Sequence, residues 1–316
     1  MKKIVLALLT IALIFAGSTA FASGQTEDDG TMEFVMVPKG VHPYYEPCYE
    51  GFKDAGAKYG IEVDYVAPAK FDISLQVKVI EDLIAQDVDG IAISALDDAG
   101  LIAVIKEAME AGIKVITFDA AAPSTSALSY VGTVNEDAGY AAGEEMVKRL
   151  NKGDNIVILQ GGLGATNLNQ RTAGFKKALE GSGINILEVN DTKGNISDTV
   201  NNVEALMQTY SDIDAFFGIS ALCAPGAATV VKQQGKTDDI LIAGFDDLED
   251  TLLAIKEGTV DFCLVQKTYN MGWLSIETLL AANNGESVEQ VQNTGVLVVN
   301  KDNADTYMAE MKNFFN

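Results

Sequence analysis

Gly90–Asp119 reads GIAISALDDAGLIAVIKEAMEAGIKVITFD. It opens with a short apolar run, Gly90–Ser94, and closes with a second, Lys114–Phe118, both long enough only for strands. Between them Ala99–Ala111 carries apolar residues at helical spacing, behind Asp97 or Asp98 as a helix-opening acid and before Gly112 as a helix-closing glycine. Two apolar strands joined by one amphipathic helix form a βαβ unit, whose crossover is right-handed and whose strands run parallel. The stretch also ends on a carboxylate, Asp119, where a strand gives way to a loop.

The same rhythm runs through most of the chain. Phe34–Val37, Ile61–Val66, Asn155–Leu159, Asn185–Val189, Ala215–Gly218, Ile240–Ala243 and Val260–Gln266 read as further buried strands, with Gly295–Val299 as a last one. The intervening stretches, such as Tyr45–Tyr59, Ile73–Gln86, Asp137–Leu150, Asn167–Glu180, Asp198–Tyr210, Ala224–Gln234, Asp247–Lys256, Asn270–Ala282 and Asn303–Phe315, read as helices. Asp72 and Ser197 or Asp198 are expected to open helices, and Gly60, Gly183, Gly235 and Gly258 to close them. The rhythm restarts after Asn151–Asp154, which predicts two similar α/β lobes with parallel sheets.

Met1–Ala22 predicts where the protein works. Lys2 and Lys3 precede an apolar run, Ile4–Phe15, interrupted only by Thr10, and Ala20-Phe21-Ala22 matches a small-residue cleavage box. This is the pattern of a secretory signal peptide, too short to span a bilayer, which takes about 20 residues. No cysteine lies near the cleavage point, so a lipidated start is not expected. The mature chain is then expected to begin near Ser23 in the periplasm, with residues 23–32 as a disordered tail, where no nucleotide or nicotinamide pool supports an enzyme.

Composition narrows the function further. The chain has 316 residues and a formal charge of −23, which argues against nucleic acid and against anionic lipid. Cys48, Cys223 and Cys263 match no metal or redox spacing, and read as small buried hydrophobes or as a Cys223–Cys263 bridge with one thiol over. His42 is the only histidine, so neither a histidine metal centre nor a Ser-His-Asp triad elsewhere has material. Gly161–Asn167 resembles a dinucleotide loop but has Asn167 in place of its last glycine. No cofactor is expected.

Ligands in parallel α/β sheets sit beyond the carboxyl ends of the strands. There the sequence places Lys39, His42, Tyr44 and Tyr45 after the first strand, Asp119 after the fourth, and Asp246 after Ile240–Ala243. The adjacent tyrosines suit a stacked, partly apolar ring, although one could instead cap the core. Each aspartate could be a solvated loop acid or a cap, but their recurrence at equivalent places favours acceptance of ligand hydroxyls. Arg171, read alone, is a solvated helical residue.

Taken in order, Phe34–Lys39 with Pro43-Tyr44-Tyr45, Glu50–Gly56, Ile84–Ser94, Ala111–Asp119, Arg171–Phe175, Ile242–Asp246 and Val265-Gln266 resemble the ribose-type periplasmic sugar-binding proteins of ABC transporters, over nearly all of Glu33–Phe315. The resemblance implies the type I periplasmic binding protein fold: two Rossmann-like lobes joined by a three-strand hinge, with sugar held between them. It implies lobes of residues 33–133 plus 266–293 and 134–265 plus 294–316, with crossovers near Thr133–Asn135, Phe262–Gln266 and Asn293–Thr294. It places Tyr44 and Tyr45 among ring-stacking aromatics, Asp119, Arg171, Asp246 and Gln266 among hydroxyl-binding groups, and His42 where the ribose binders commonly have asparagine. Ala120 and Ser220 stand where the ribose pattern has arginine and asparagine, which points away from ribose itself. Pro38-Lys39, Tyr65–Pro68 and Ser94–Leu101 are closer to the rhamnose and autoinducer-2 branch, in which the Lys39 and Asp119 positions contact ligand and Asn167 sits at an acid's position; Leu168 and Ile219 break that pattern.

The expected function is capture of a small neutral pentose, hexose or deoxyhexose by a monomer that delivers it to an ABC permease. The alternatives are autoinducer-2 binding, or presentation of the loaded protein to a chemoreceptor or sensor kinase. A repressor effector domain would need a DNA-binding helix pair where the signal peptide stands. A periplasmic hydrolase would have only His42 as its imidazole.

Overall fold

The computed structural model describes residues 31–312, so the signal peptide and nearly all of the expected tail lie outside the described residues. Met32 is already engaged, its carbonyl accepting the Glu62 amide at 2.9 Å.

The first half runs β1 (Glu33–Val37), a 3-10 turn (Pro43–Tyr45), α1 (Glu46–Tyr59), β2 (Glu62–Tyr65), α2 (Ile73–Gln86), β3 (Gly90–Ile93), α3 (Asp98–Glu110), β4 (Lys114–Phe118) and β5 (Tyr130–Gly132). The second continues α4 (Asn135–Val147), β6 (Asn155–Gln160), α5 (Thr166–Leu179), β7 (Asn185–Asp191), α6 (Ile196–Thr209), β8 (Ala215–Gly218), α7 (Cys223–Gln233), β9 (Leu241–Phe245), α8 (Glu249–Glu257) and β10 (Phe262–Gln266). The chain ends with α9 (Thr268–Asn283), β11 (Val291–Asn293), β12 (Val296–Asn300) and α10 (Ala304–Lys312).

The strands form two sheets, ordered β11-β5-β4-β3-β1-β2 and β12-β10-β9-β8-β6-β7. The expected two-lobed parallel α/β architecture is therefore present, and the two orders correspond strand for strand. β12 departs from it by pairing antiparallel to β10. Only Thr294 and Gly295 separate β11 from β12, too short a link to turn the chain around before it enters the other sheet.

Each sheet is buried on both faces, because alternate residues of its strands point to opposite sides. In the first, Phe34, Met36, Ile116 and Phe118 pack with residues of α1 and α9, and Val35, Val37, Ile91 and Val115 with residues of α2 and α3. In the second, Ile156, Ile158, Phe217 and Phe245 pack with residues of α4 and α5, and Val157, Leu159, Phe216 and Ile242 with residues of α6, α7 and α8. Cys48, Cys223 and Cys263 are buried free thiols, so the Cys223–Cys263 bridge does not form.

Local signals mostly act as expected. Asp72 and Asp97 cap α2 and α3 by accepting the amides of Ser74 and Gly100. Gly60, Gly112, Gly183, Gly235 and Gly258 all have positive φ. The opening of α6 differs: Asn195, not Ser197 or Asp198, is the cap, its side chain accepting the Asp198 amide. The short strands β5 and β11 were not expected, since three residues are too few for a periodicity to register.

Candidate ligand-binding site

The carboxyl ends of both sheets open onto one cavity of about 540 Å3. Lys39, His42, Tyr44, Tyr45, Asp119, Asn167, Arg171, Ser220, Asp246 and Gln266 all line it. The structure thus brings together all ten candidate site residues.

Asp119 organises the side built from the first sheet. It follows β4 with φ +57°, a left-handed conformation uncommon for a residue with a Cβ, and its amide donates to the Val131 carbonyl of β5. One carboxylate oxygen accepts from the Tyr44 hydroxyl at 3.0 Å. The other accepts from Ser94 Oγ at 2.7 Å and from the Tyr45 hydroxyl at 3.3 Å, and lies 3.3 Å from the Lys39 ammonium. Burial alone would push this acid up, but Lys39 and the Ser94 and Tyr44 hydroxyls outweigh burial and hold it below the ordinary carboxylate range. Tyr45 is buried in the core, as one member of the tyrosine pair could be, and it also lines the cavity. His42 caps the Pro43–Tyr45 turn, its Nδ1 accepting the Tyr44 amide at 3.1 Å, and so fixes the loop that carries the tyrosines.

The second sheet repeats the device. Asp246 follows β9 with φ +68°, and its amide donates to the Leu264 carbonyl of β10. Here the balance falls the other way. Burial lifts the Asp246 carboxyl from an ordinary 3.8 to about 6, against the opposing pull of Arg171 and of Gln266. Gln266 Nε2 donates to Asp246 Oδ1 at 2.8 Å, and Gln266 Oε1 is buried with no partner.

Arg171 is 3% exposed, not the solvated residue its sequence context alone suggests. Its Nε donates to Asn135 Oδ1 at 2.9 Å and its Nη1 to the Ile219 carbonyl at 3.1 Å, while the guanidinium lies 3.8 Å from the centroid of Phe245. Helix α5 can bring it there because Gly139 of α4 and Gly174 of α5 let the helix backbones touch. A Cβ at Gly139 would lie 2.0 Å from the Arg171 carbonyl oxygen. Gly161 plays a similar part in the loop after β6, where a Cβ would meet Ser220 Oγ at 2.3 Å.

Several contributors escaped the sequence reading. Ser94 directly follows β3 as a lone hydroxyl after an apolar run, and Asn135 opens α4; their contacts depend on partners 25 and 36 residues away. Leu222, Leu248, Leu252, Met308 and Met311 also line the cavity. Among the described residues, no group of three or more His, Cys, Asp or Glu is arranged to hold a metal ion.

The raised Asp246 carboxyl gives a pH prediction with a definite sign. Between about 4 and 6 the folded chain holds a proton that the unfolded chain has released, so this group's contribution to stability falls as pH rises through that window and is flat above it. Thermal melting of the wild type minus that of Asp246→Asn is expected to decline from pH 4 to 6 and then level off. A difference that rises over that range would contradict the burial argument.

Two α/β lobes that aim matching acidic strand ends into a shared cavity define a two-lobed solute-binding protein. The model of the periplasmic binding protein domain family matches residues 34–287, and the chain belongs to that family. A solute-binding protein from Burkholderia graminis, solved in complex with D-arabinose, is 36% identical with a TM-score of 0.82, over 87% of this chain and 97% of that one. The ribose import binding protein RbsB of Bacillus subtilis is 26% identical over 92% of this chain and 96% of its own. The solved XylFII-LytSN complex contains a chain 28% identical with a TM-score of 0.75, covering 86% of this chain and 98% of that one. The two individual proteins are named as binding proteins, neither as an enzyme.

Proposed function

We propose that this protein captures a small neutral sugar between its two lobes and delivers it to an ABC transporter permease, working as a monomer in the periplasm after loss of Met1–Ala22. The observation that carries the proposal is the pairing of Asp119 and Asp246 at opposite walls of one cavity. Lys39 stands beside Asp119 and Arg171 acts on Asp246, so these four central groups balance, while Glu46, Asp247 and Glu249 make the whole lining acidic; the site disfavours an anion and suits a neutral polyol. Unpartnered Gln266 Oε1 and the aspartate oxygens accept hydroxyls, and the Tyr44 ring offers an apolar face. The names of the relatives, arabinose and ribose among their ligands, support the sugar class.

The proposed working motion is hinge closure. The chain passes between the two sheets after β5, after β10 and after β11, and a ligand that touches both lobes favours whichever arrangement brings them together. These crossings underlie lobes of residues 33–133 plus 266–293 and 134–265 plus 294–316 in this reading, except that Gln266, the last residue of β10, pairs with Val296 and goes with the second lobe.

The test is a thermal-shift screen of residues 23–316 against pentoses, hexoses, deoxysugars, inositols and autoinducer-2. A ligand at 100 times its dissociation constant adds about 2.7 kcal/mol of stability. One neutral sugar is expected to raise the melting temperature plainly. Cooperative melting with no response to any of them would overturn the sugar reading.

The likeness to a chain solved in complex with a second protein, XylFII-LytSN, favours a second reading, in which the loaded protein docks on a signalling partner such as a chemoreceptor or sensor kinase. Deleting the gene separates the two. Lost uptake of the sugar marks transport; lost induction with uptake intact marks sensing.

A further inference from the structure

The cavity has two chemically different parts. Lys39, Asp119, Arg171, Asp246 and Gln266 form a polar centre. Leu222, Leu248, Leu252, Met308 and Met311 form an apolar wall of the same cavity. The two are continuous, since Leu248 stands two residues beyond Asp246. The wall comes from the residues preceding α7 and α8, from α8 itself and from α10. It is a built feature: α10 is tied to the site by the Tyr307 hydroxyl, which donates to Asp247 Oδ2 at 2.6 Å, and to α8 by the Lys256–Asp305 ion pair at 2.6 Å.

A free pentose or hexose carries a hydroxyl on nearly every carbon, and in the reading above its C–H ring face is set against Tyr44, which leaves little apolar surface for such a wall. The cavity, about 540 Å3, falls in the range of roughly 300–1,000 Å3 that holds drug-sized ligands. Leu248, Met308 and Met311 are only half-buried, and apolar surface left at the edge of a polar site is the feature a ligand's apolar part covers. The two methionines suit a flexible apolar group because their unbranched side chains adapt to its shape.

Resting on the sugar reading above, we infer that the ligand is a glycoside: the sugar occupies the Asp119–Asp246 centre and an apolar aglycone lies on the Leu248–Leu252–Met308–Met311 wall. A rival occupant is the opposite lobe, whose Pro43 and Pro47 line the same cavity and could close on the wall instead.

The experiment is titration calorimetry with the methyl, ethyl and n-butyl α- and β-glycosides of D-ribose, D-arabinose, D-xylose, D-glucose and D-galactose, beside the free sugars. At about 0.8 kcal/mol per buried methylene, each added carbon is expected to tighten binding about fourfold for one anomer of one sugar. In the double variant Met308→Gln, Met311→Gln the butyl glycoside is expected to weaken at least tenfold more than the free sugar. Glutamine keeps length and helix preference, Met308 also packs against the core so a modest fall in melting temperature is expected, and the wild-type series stands without the variant. A free sugar that binds tightly while affinity stays flat or falls from methyl to butyl overturns this inference and leaves the sugar reading intact. A variant that weakens the free sugar as much as the butyl glycoside also overturns it, in favour of lobe closure. If neither sugars nor glycosides bind, the sugar reading and this inference fall together.

Discussion

Asp119→Ala is expected to weaken sugar binding by about a hundredfold or more. The ionised carboxylate is the shared acceptor of Tyr44, Tyr45 and Ser94 and the counter-charge of Lys39. Hydrogen bonds to a charged group contribute about 1.5–3 kcal/mol each; one oxygen already meets Ser94, Tyr45 and Lys39 and the other only Tyr44, so one ligand hydroxyl on the freer oxygen accounts for about 1.5–3 kcal/mol and the disturbed wall for the rest. The substitution also removes the carboxylate acceptor of the buried Ser94 hydroxyl and the partner of Lys39, so the tyrosine loop keeps His42 but loses its second anchor. Asp119→Asn keeps the shape and removes the charge, and is expected to fall between the two. Calorimetry with the sugar found in the screen reads both. Affinity within threefold of wild type in Asp119→Ala would remove this residue from the site.

Gly139→Ala is expected to destabilise the protein by about 3 kcal/mol or more, the upper end of overpacking costs. Its new Cβ would lie 2.0 Å from the Arg171 carbonyl oxygen, a backbone atom that cannot move unless α5 moves. Gly174 faces the Glu136 carbonyl oxygen at 1.9 Å from the other side, so the helix pair has no slack. Any shift of α5 carries Arg171 away from Asn135, Ile219 and the Asp246 wall, so ligand affinity should drop with stability. Gly60→Ala makes the contrast. Gly60 has φ +70° and a Cβ there would meet nothing within 4 Å, so only backbone strain opposes alanine, about 1 kcal/mol. Urea unfolding of both variants tests the order; equal losses would mean that contact between α4 and α5 is not what sets the position of Arg171.

The difference between the two aspartates has a physical origin that only their surroundings reveal. Both end equivalent strands, both adopt a left-handed backbone conformation and both donate their amide to the next strand. Asp119 has an ammonium at 3.3 Å and hydroxyl donors on both oxygens, whereas Asp246 has one amide donor and a guanidinium already bonded to Asn135 and Ile219. The first therefore stays ionised across the working pH range, and the second takes up a proton at mildly acidic pH. Sugar affinity is accordingly expected to decline below about pH 6 in the wild type and to lose that dependence in Asp246→Asn.

Sequence by itself determined the βαβ repetition, the two lobes and the strand ends that carry the site, because these follow from local periods of apolar residues and from glycine and aspartate signals a few positions apart. Resemblance pointed to Gln266 and Arg171 as cavity residues, which read alone are a strand end and a solvated helical residue. Tertiary structure alone decided that Arg171 is buried against Phe245, that Ser94 and Asn135 hold the two central charges in place, that β12 runs antiparallel, and that α10 contributes an apolar wall. Each of these depends on residues distant in the chain meeting across sheets and helices, and no local pattern records which distant partner a side chain will find.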